Sequence, residues 1–171
     1  PRVPHLAGSH LCHHVHGDDD DRTKSGSVTG DSAEFRSYCE KQEGVPVRFK
    51  ARIRKYFPRR VESPVHFEIK WRRGDRVWKD REHVVPVLGE SGDETLRRAP
   101  HFAEFVSIHR LRPSLLVADK RHAYRDPNSE ARITFDQEIR FGTEPSSVCA
   151  RGRLLTRAAV LEMKSKENLP P

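Results

Sequence analysis

The alternation of apolar and charged residues predicts two neighbouring β-strands between residues 47 and 72. In both stretches the odd-numbered positions are mostly apolar and the even-numbered positions are mostly charged. Because successive side chains of a strand point to opposite faces, each predicted strand has one apolar face and one charged face. Pro58 and the pair Arg59-Arg60 interrupt the alternation, as a hairpin connection would.

The charged face of these two strands carries an excess of cations. Its members are Arg48, Lys50, Arg52, Arg54, His66, Glu68, Lys70 and Arg72. Unit charges 4 to 6 Å apart repel by roughly 3 to 4 kcal/mol at an effective dielectric near 20, before screening by salt. The pattern therefore predicts that this face binds a polyanion.

The remaining pattern predicts further strands and a few helices. A Gly74-Asp75 turn leads into a third strand, and Pro100 interrupts the main helix early. The predicted elements are a short helix or turn at 33–42, strands at 76–87, 115–124, 132–139 and 159–166, and a helix at 95–111. This predicts an α+β domain with a mostly antiparallel sheet. Two arrangements fit: an open sheet with a basic outer surface, or a closed barrel with charged faces inside.

Composition and charge narrow the class of partner. The chain has 171 residues, of which 35% are hydrophobic and 33% charged, and its formal net charge is +7. A basic excess favours phosphate-bearing partners, namely a nucleotide, a nucleic acid, polyphosphate or an anionic membrane surface, without choosing among them.

Cysteine usage and hydropathy predict a cytoplasmic protein. Cys12, Cys39 and Cys149 are odd in number and scattered, which is typical of reduced thiols rather than a disulfide framework. No apolar run has the length of a membrane span, and no signal peptide is visible.

Residues 1–26 differ in composition from the rest. They contain five histidines and the acidic run Asp18 to Asp21, without an apolar period, which predicts a disordered or poorly packed segment. The histidines and Cys12 have no fixed ligand spacing, so incidental metal affinity is the simpler interpretation. We expect one domain over residues 27–171.

The charged faces of all the strands together suggest a phosphate site. Arginine forks bind phosphate oxygens in pairs, lysine binds them as a point charge, and isolated carboxylates hold Mg²⁺ or Mn²⁺ that bridges phosphates. On a single strand, however, an alternating charge pattern usually marks a solvated face, and Glu68 beside Lys70 or Glu162 beside Lys164 suits a surface ion pair. Repetition over strand after strand, always with cations in excess, favours a site.

Several ordered motifs carry a resemblance to a known family. They are Ser37-Tyr38-Cys39-Glu40-Lys41, Gly44-Val45-Pro46, Lys50 to Tyr56, Phe67-Glu68-Ile69-Lys70, Lys120 to Tyr124, Arg132 to Asp136 and Val160 to Lys164. In this order they resemble the VTC domain, the polyphosphate polymerase domain of the vacuolar transporter chaperone family. The resemblance covers about residues 27 to 169.

The resemblance implies the triphosphate tunnel fold of the CYTH-like proteins, a closed antiparallel barrel with inward basic residues and a divalent cation, Mg²⁺ or Mn²⁺. It implies transfer of the terminal phosphate of ATP to a growing polyphosphate chain, without a covalent enzyme intermediate. The expected catalytic residues are Arg52, Arg54, Lys70, Arg121 and Arg132. The expected further phosphate-binding residues are Lys41, Lys50, Arg72, Lys79, Arg81 and Lys164. The expected metal-binding residues are Glu162 and Glu68.

The chain also departs from the family pattern. The first basic strand with its E-x-K-like motif has no match in residues 1–26, the next strand is reduced to about residues 27–32, and Asp119 stands where the family tends to have an aromatic residue. The usual C-terminal helix has no counterpart. We therefore expect an incomplete barrel, truncated at the C-terminus.

Two alternative functions remain open from the sequence. One is triphosphate hydrolysis by the same fold. The other is a basic module that binds polyphosphate or nucleic acid without turnover. Nucleic acid is the less expected partner, because the charged faces supply little for base stacking beyond Tyr56. The oligomeric state cannot be inferred from the sequence.

Overall fold

The alternating pattern of the chain produces one curled antiparallel sheet with helices against its apolar face. A computed structural model of the protein describes residues 23–57, 63–125, 132–143, 153–154 and 158–164. The strands are β1 (Thr23–Asp31), β2 (Val47–Phe57), β3 (Val65–Arg73), β4 (Arg76–Val84), β5 (Arg112–Arg125), β6 (Arg132–Gly142), β7 (Arg153–Leu154) and β8 (Val160–Lys164). The helices are α1 (Arg36–Gln42), α2 (Gly92–Arg97) and α3 (Pro100–Ile108).

The sheet has the order β4-β3-β2-β1-β5-β6-β7, and β8 pairs with β6 beside β7. All the strand pairs are antiparallel. The predicted α+β class with a mostly antiparallel sheet is therefore confirmed. The closed barrel is not found. Within the described residues no hydrogen-bonded strand pair joins β4 to β8, so the sheet is not closed.

Strong curvature nevertheless brings the two ends of the sheet together. In a flat sheet, the six steps from β4 to β8 would separate them by about 30 Å at ~4.8 Å per strand. Instead, Lys79 of β4 lies close enough to Glu162 and Lys164 of β8 for their charges to affect one another's pKa. These three residues lie on the charged face, so the charged face is the inner face of the curl. We call the space that it bounds the trough.

The outer, apolar face of the sheet forms the hydrophobic core with α2 and α3. The helices contribute Leu96, Phe102 and Val106, and the rings of Phe102 and Phe67 lie 5.3 Å apart. The buried sheet residues of this core are Val28, Ala51, Ile53, Val65, Phe67, Ile69, Val84 and Leu116. Burial on one face fixes the register, because a shift by one residue would turn the charged side chains into the core.

Local sequence signals determine where the helices begin. Ser91 and Glu94 form a reciprocal capping box at the start of α2. Pro100 occupies the first turn of α3, where its missing N–H costs little. The predicted helix over 95–111 is therefore two helices, and the break lies at Arg98 and Ala99, just before the proline.

The first strand was underestimated from the sequence. β1 is a full central strand between β2 and β5, and it begins at Thr23, inside the segment expected to be poorly packed. Its residues are small and polar, with Ser25, Gly26, Ser27 and Gly30 all buried, so it lacks the apolar alternation that marks the other strands. Most of residues 1–26 lie outside the described residues, and the predicted domain boundary stays a prediction.

The core predicts a contrast between two apolar residues of α3. Phe102 is 2% exposed and Ile108 is 67% exposed. We expect Phe102→Ala to lower the free energy of unfolding by about 3–5 kcal/mol, because it leaves a cavity against Phe67. Ile108→Ala is the matched control and should cost less than about 1 kcal/mol. Urea denaturation of both variants measures this, and equal losses would contradict the assignment of the core.

Candidate functional site

Strand pairing places the charged residues of β2, β3 and β4 in cross-strand rows on the trough wall. Residues directly opposite each other in an antiparallel pair lie on the same face, with Cβ atoms about 4.5–5.5 Å apart. The rows are Lys50-Lys70-Lys79, Arg52-Glu68-Arg81 and Arg54-His66-His83. The alternation found in the sequence thus places charged side chains in ordered rows across three strands.

The first row, which we call the lysine row, consists of three ammonium groups with no carboxylate among them. Partial desolvation lowers the pKa of Lys50, and the charges of Arg52, Lys41, Arg54 and Lys70 lower it further. Desolvation also lowers the pKa of Lys79, in spite of the opposing charge of Glu68. A lowered lysine pKa means that the charged form is disfavoured where it stands. The lysine row is therefore a place where a bound anion would relieve repulsion.

The second row holds two arginines around one carboxylate. Glu68 is 5% exposed. One of its oxygens, Oε2, accepts hydrogen bonds from Nε and Nη2 of Arg52, and the other, Oε1, accepts one from Arg81 Nε at 2.7 Å. Burial alone would raise the pKa of Glu68, but the charge and hydrogen bonding of Arg52 and the charges of Arg81 and Lys79 lower it to about 2. Glu68 therefore fixes both guanidinium groups in place.

The third row contains a buried donor without an acceptor. Arg54 Nη1 donates to the Tyr56 hydroxyl at 3.3 Å, whereas its buried Nε finds no acceptor among the described residues. Next to it, Nδ1 of His66 and Nδ1 of His83 share a hydrogen bond of 2.6 Å. Desolvation and the neighbouring His83 lower the pKa of His66, which favours the neutral form of His66. An orphaned buried donor is costly, and it points to a ligand or water that accepts from it.

β5 and β6 supply the opposite wall. Arg121 donates from Nε and Nη2 to the two oxygens of Asp136, both at 2.5 Å, and this contact raises the pKa of Arg121. Asp119, on the same face of β5, accepts a hydrogen bond from Ser25 Oγ at 2.6 Å. Thr134 is also buried here, and its hydroxyl has no partner among the described residues.

β8 completes this wall with Glu162 and Lys164, which are 3.1 Å apart and about half exposed. Desolvation would raise the pKa of Glu162, but the hydrogen bond and charge of Lys164 and the charges of Arg121 and Lys79 lower it. Glu162 is thus an ionised carboxylate that faces cations from three strands.

The structure brings most of the predicted site residues together, including Lys41, whose charge acts on Lys50, whereas Arg72 and Arg132 lie at the margins. Lys41 lies on α1, where the Asp31 carboxylate accepts from the backbone N–H groups of Ser37 and Tyr38 and so holds the helix against β1. Arg72 lies at the hairpin end of β3 and donates to the Gly74 carbonyl at 2.8 Å. Arg132 lies at the outer end of β6, exposed and opposite Lys164.

Other residues of the trough were not predicted as site residues. They are Ser25, Tyr56, His66, His83, Asp119, Thr134 and Asp136. Asp136 lies in a cross-strand ion pair with Arg121. Arg121 and Asp136 are directly opposite each other in the β5–β6 register, and alternation along a single strand does not give that register.

The carboxylates differ in how well they suit a divalent cation. Both oxygens of Glu68 accept from arginines, which fits an anchor for guanidinium groups better than a metal ligand. Glu162 has one lysine partner and is accessible. The described residues contain no group of three or more His, Cys, Asp or Glu that could hold a metal by themselves. Mg²⁺ commonly uses one or two carboxylates and completes its shell with substrate phosphates and water, and Glu162 fits that mode.

The depressed pKa of Glu68 predicts an acid-dependent loss of stability. A carboxyl group whose pKa falls from 4.5 to about 2 on folding contributes on the order of 3 kcal/mol above its ordinary pKa, and this is lost as the pH falls towards 2. We expect Glu68→Gln to lower the free energy of unfolding by about that amount near pH 7 and by much less near pH 2.

Urea denaturation at several pH values measures this contrast. The control is Glu138→Gln, which removes an exposed carboxylate paired with Lys120 and should change stability by less than about 1 kcal/mol. Parallel pH profiles for the Glu68 variant and the unaltered chain would contradict the ion-pair role of Glu68.

Comparison with known proteins identifies the family of the chain. No helix of the described residues is long and apolar enough to span a membrane. No curated protein matches the chain. The sequence model of the VTC domain family matches residues 6–171, which is almost the full length, and this family implies a polyphosphate-related function. The predicted resemblance is confirmed: the chain belongs to the VTC domain family.

Proposed function

We propose that the trough binds inorganic polyphosphate and the triphosphate of ATP, and that the domain transfers phosphoryl groups to polyphosphate. The lysine row carries this proposal. Three cations in register on neighbouring strands span about 10 Å at ~4.8 Å per strand, so an extended polyanion that crosses the strands contacts each of them. Such a ligand would neutralise charges that otherwise repel one another.

The arginines of the adjacent rows support the same ligand. Glu68 takes Nε and Nη2 of Arg52 and Nε of Arg81, which leaves further guanidinium donors of both residues for phosphate oxygens. Arg54 offers its buried Nε, and Arg121 is oriented by Asp136. Arginines that are held in position lose little entropy on binding, so they suit stabilisation of the charge that develops during phosphoryl transfer.

Glu162 is the residue that we assign to a divalent cation, Mg²⁺ or Mn²⁺. It is ionised, accessible and close to the cations of both walls. When bound, the cation would neutralise phosphate charge and orient the phosphates for transfer. The residues of the chain hold the phosphates in line, so catalysis rests on positioning and electrostatic stabilisation, with a phosphate oxygen of the polyphosphate chain as the attacking group.

A passive polyphosphate-binding module is the second candidate function. The observation that favours it is the state of the carboxylates: Glu68 and Asp136 are engaged by arginines, so Glu162 remains as the accessible acidic group among the trough residues described above. A module without turnover would use the same lysines and arginines and would not require Glu162.

One prediction of the proposed function concerns the binding of tripolyphosphate. We expect Lys70→Gln to weaken tripolyphosphate binding about tenfold, equal to about 1.4 kcal/mol, because the central cation of the lysine row is lost. Isothermal titration calorimetry at two ionic strengths measures it, and the difference should shrink at high salt. Lys55→Gln is the matched control, since Lys55 lies on the opposite face beside the Phe57 ring. Equal effects of the two substitutions would contradict binding in the trough.

Another prediction of the proposed function distinguishes an enzyme from a passive binding module. With ATP and Mn²⁺, we expect Glu162→Gln to reduce polyphosphate synthesis by about a hundredfold or more, because a cation contributes several kcal/mol of charge stabilisation. Metal-free tripolyphosphate binding should stay the same or become tighter, since a negative charge is removed. Glu138→Gln serves as the control.

The products of the same assay distinguish the alternatives. Chain growth identifies a polymerase, and release of orthophosphate without growth identifies a hydrolase. Binding without turnover by the unaltered chain would establish the passive module. An unaltered chain that neither binds nor turns over these substrates would overturn the proposed function.

A further inference from the structure

The trough contains a buried carboxyl group that the proposed phosphate chemistry does not use. Asp119 is 8% exposed and lies two residues before Arg121 on the same face of β5. Its Oδ1 accepts a hydrogen bond from Ser25 Oγ at 2.6 Å. An acidic group in a phosphate-binding trough requires a physical account.

The surroundings of Asp119 come from four strands. β1 provides the neutral hydroxyl of Ser25, and β2 provides the charge of Arg54. β5 provides Arg121, and β6 provides the like charge of Asp136. Burial raises the pKa of Asp119, the carboxylate of Asp136 raises it further, and the Ser25 hydrogen bond and the charges of Arg121 and Arg54 oppose the shift. Unlike Asp136, Asp119 forms no ion pair with an arginine within the described part of the chain, so its negative charge is less stabilised.

Arg54 and Arg121, whose charges act on Asp119, also have guanidinium donors available to a ligand. Arg54 Nε is buried without an acceptor among the described residues. Arg121 commits Nε and Nη2 to Asp136, which leaves Nη1. A phosphate that accepts from these groups would bring its own charge close to the Asp119 carboxylate. Two anions in one poorly hydrated place repel strongly unless one of them takes up a proton.

We propose that Asp119 accepts a proton when a phosphate group occupies the Arg54 and Arg121 side of the trough, so that binding there is coupled to proton uptake. This rests on the proposed function. The proton comes from solvent and joins the carboxylate at Oδ2, the oxygen that Ser25 does not bind, and no covalent bond to the ligand forms. The neutral acid can then donate to a phosphate oxygen instead of repelling it. Asp119 is thus a ligand-binding residue whose protonation state sets the affinity for phosphate.

The test is calorimetric titration of the full chain with tripolyphosphate, without metal, in buffers of different protonation enthalpy. The dependence of the heat on the buffer gives the number of protons taken up. The ligand's own titration is common to all variants, so the difference between variants isolates the protein. We expect the unaltered chain to take up more protons near neutral pH than Asp119→Asn. We also expect Asp119→Asn to bind about three- to tenfold more tightly near pH 8, with the difference becoming smaller as the pH falls.

Two further variants make the outcome specific. Glu138→Gln removes a carboxylate from the same pair of strands at the Lys120 ion pair and should take up as many protons as the unaltered chain. Ser25→Ala removes the hydrogen bond that opposes the raised pKa of Asp119, so it should move the pH range of proton uptake upwards. This second variant also keeps the test available if Asp119→Asn folds poorly.

The results separate this proposal from the proposed function. Tripolyphosphate binding with equal proton uptake and equal affinity in the unaltered chain and Asp119→Asn would overturn the role of Asp119 alone. An unchanged pH range in Ser25→Ala would overturn it as well. Absence of any binding by the unaltered chain would remove both proposals together.

Discussion

Repulsion between like charges on the inner face of a curled sheet is the constraint on which this structure depends. Side-chain alternation assigns one face of each strand to the core, so the charged face must occupy whatever space the curl leaves. In this chain that face is mostly cationic, and the two ends of the sheet approach each other through it. The fold therefore holds together charges that would separate in a flat sheet, and the apolar burial on the outer face must outweigh their repulsion.

The repulsion between cations is neutralised in one part of the trough and left unbalanced in another. In the row of Arg52, Glu68 and Arg81 and in the pair of Arg121 and Asp136, internal carboxylates neutralise and orient guanidinium groups. In the lysine row there is no such partner within the register. The paired arginines are held rigidly and can recognise a ligand. The unpaired lysines leave a positive charge that favours an anionic ligand. Their position side by side on the same strands is the feature on which the proposed polyphosphate site rests.

The sequence predicted the parts of this arrangement that follow from a strict period. The alternation from Arg48 to Arg72 determined the faces of β2 and β3, and hence the placement of Lys50, Arg52, Arg54 and Lys70. It could not predict β1, because small buried residues such as Gly26 and Ser27 give no contrast between faces. It could not predict the partner of Asp136, because alternation along one strand does not give its register with the next strand, where Arg121 lies directly opposite. Closure of the sheet into a barrel could not be predicted either, since the alternation is the same for an open sheet and a barrel.

The composition of β1 has a consequence for the interior of the trough. This strand lies in the middle of the sheet, between the lysine and arginine rows on one side and Arg121 on the other. Ser25, Ser27 and Thr29, which pair with Tyr56, Arg54 and Arg52, project only short hydroxyl side chains. Short side chains at the centre of the sheet take up little room beside the long cationic side chains of β2 and β5. The same composition that leaves β1 without a recognisable pattern therefore makes room for the charged strands on either side of it.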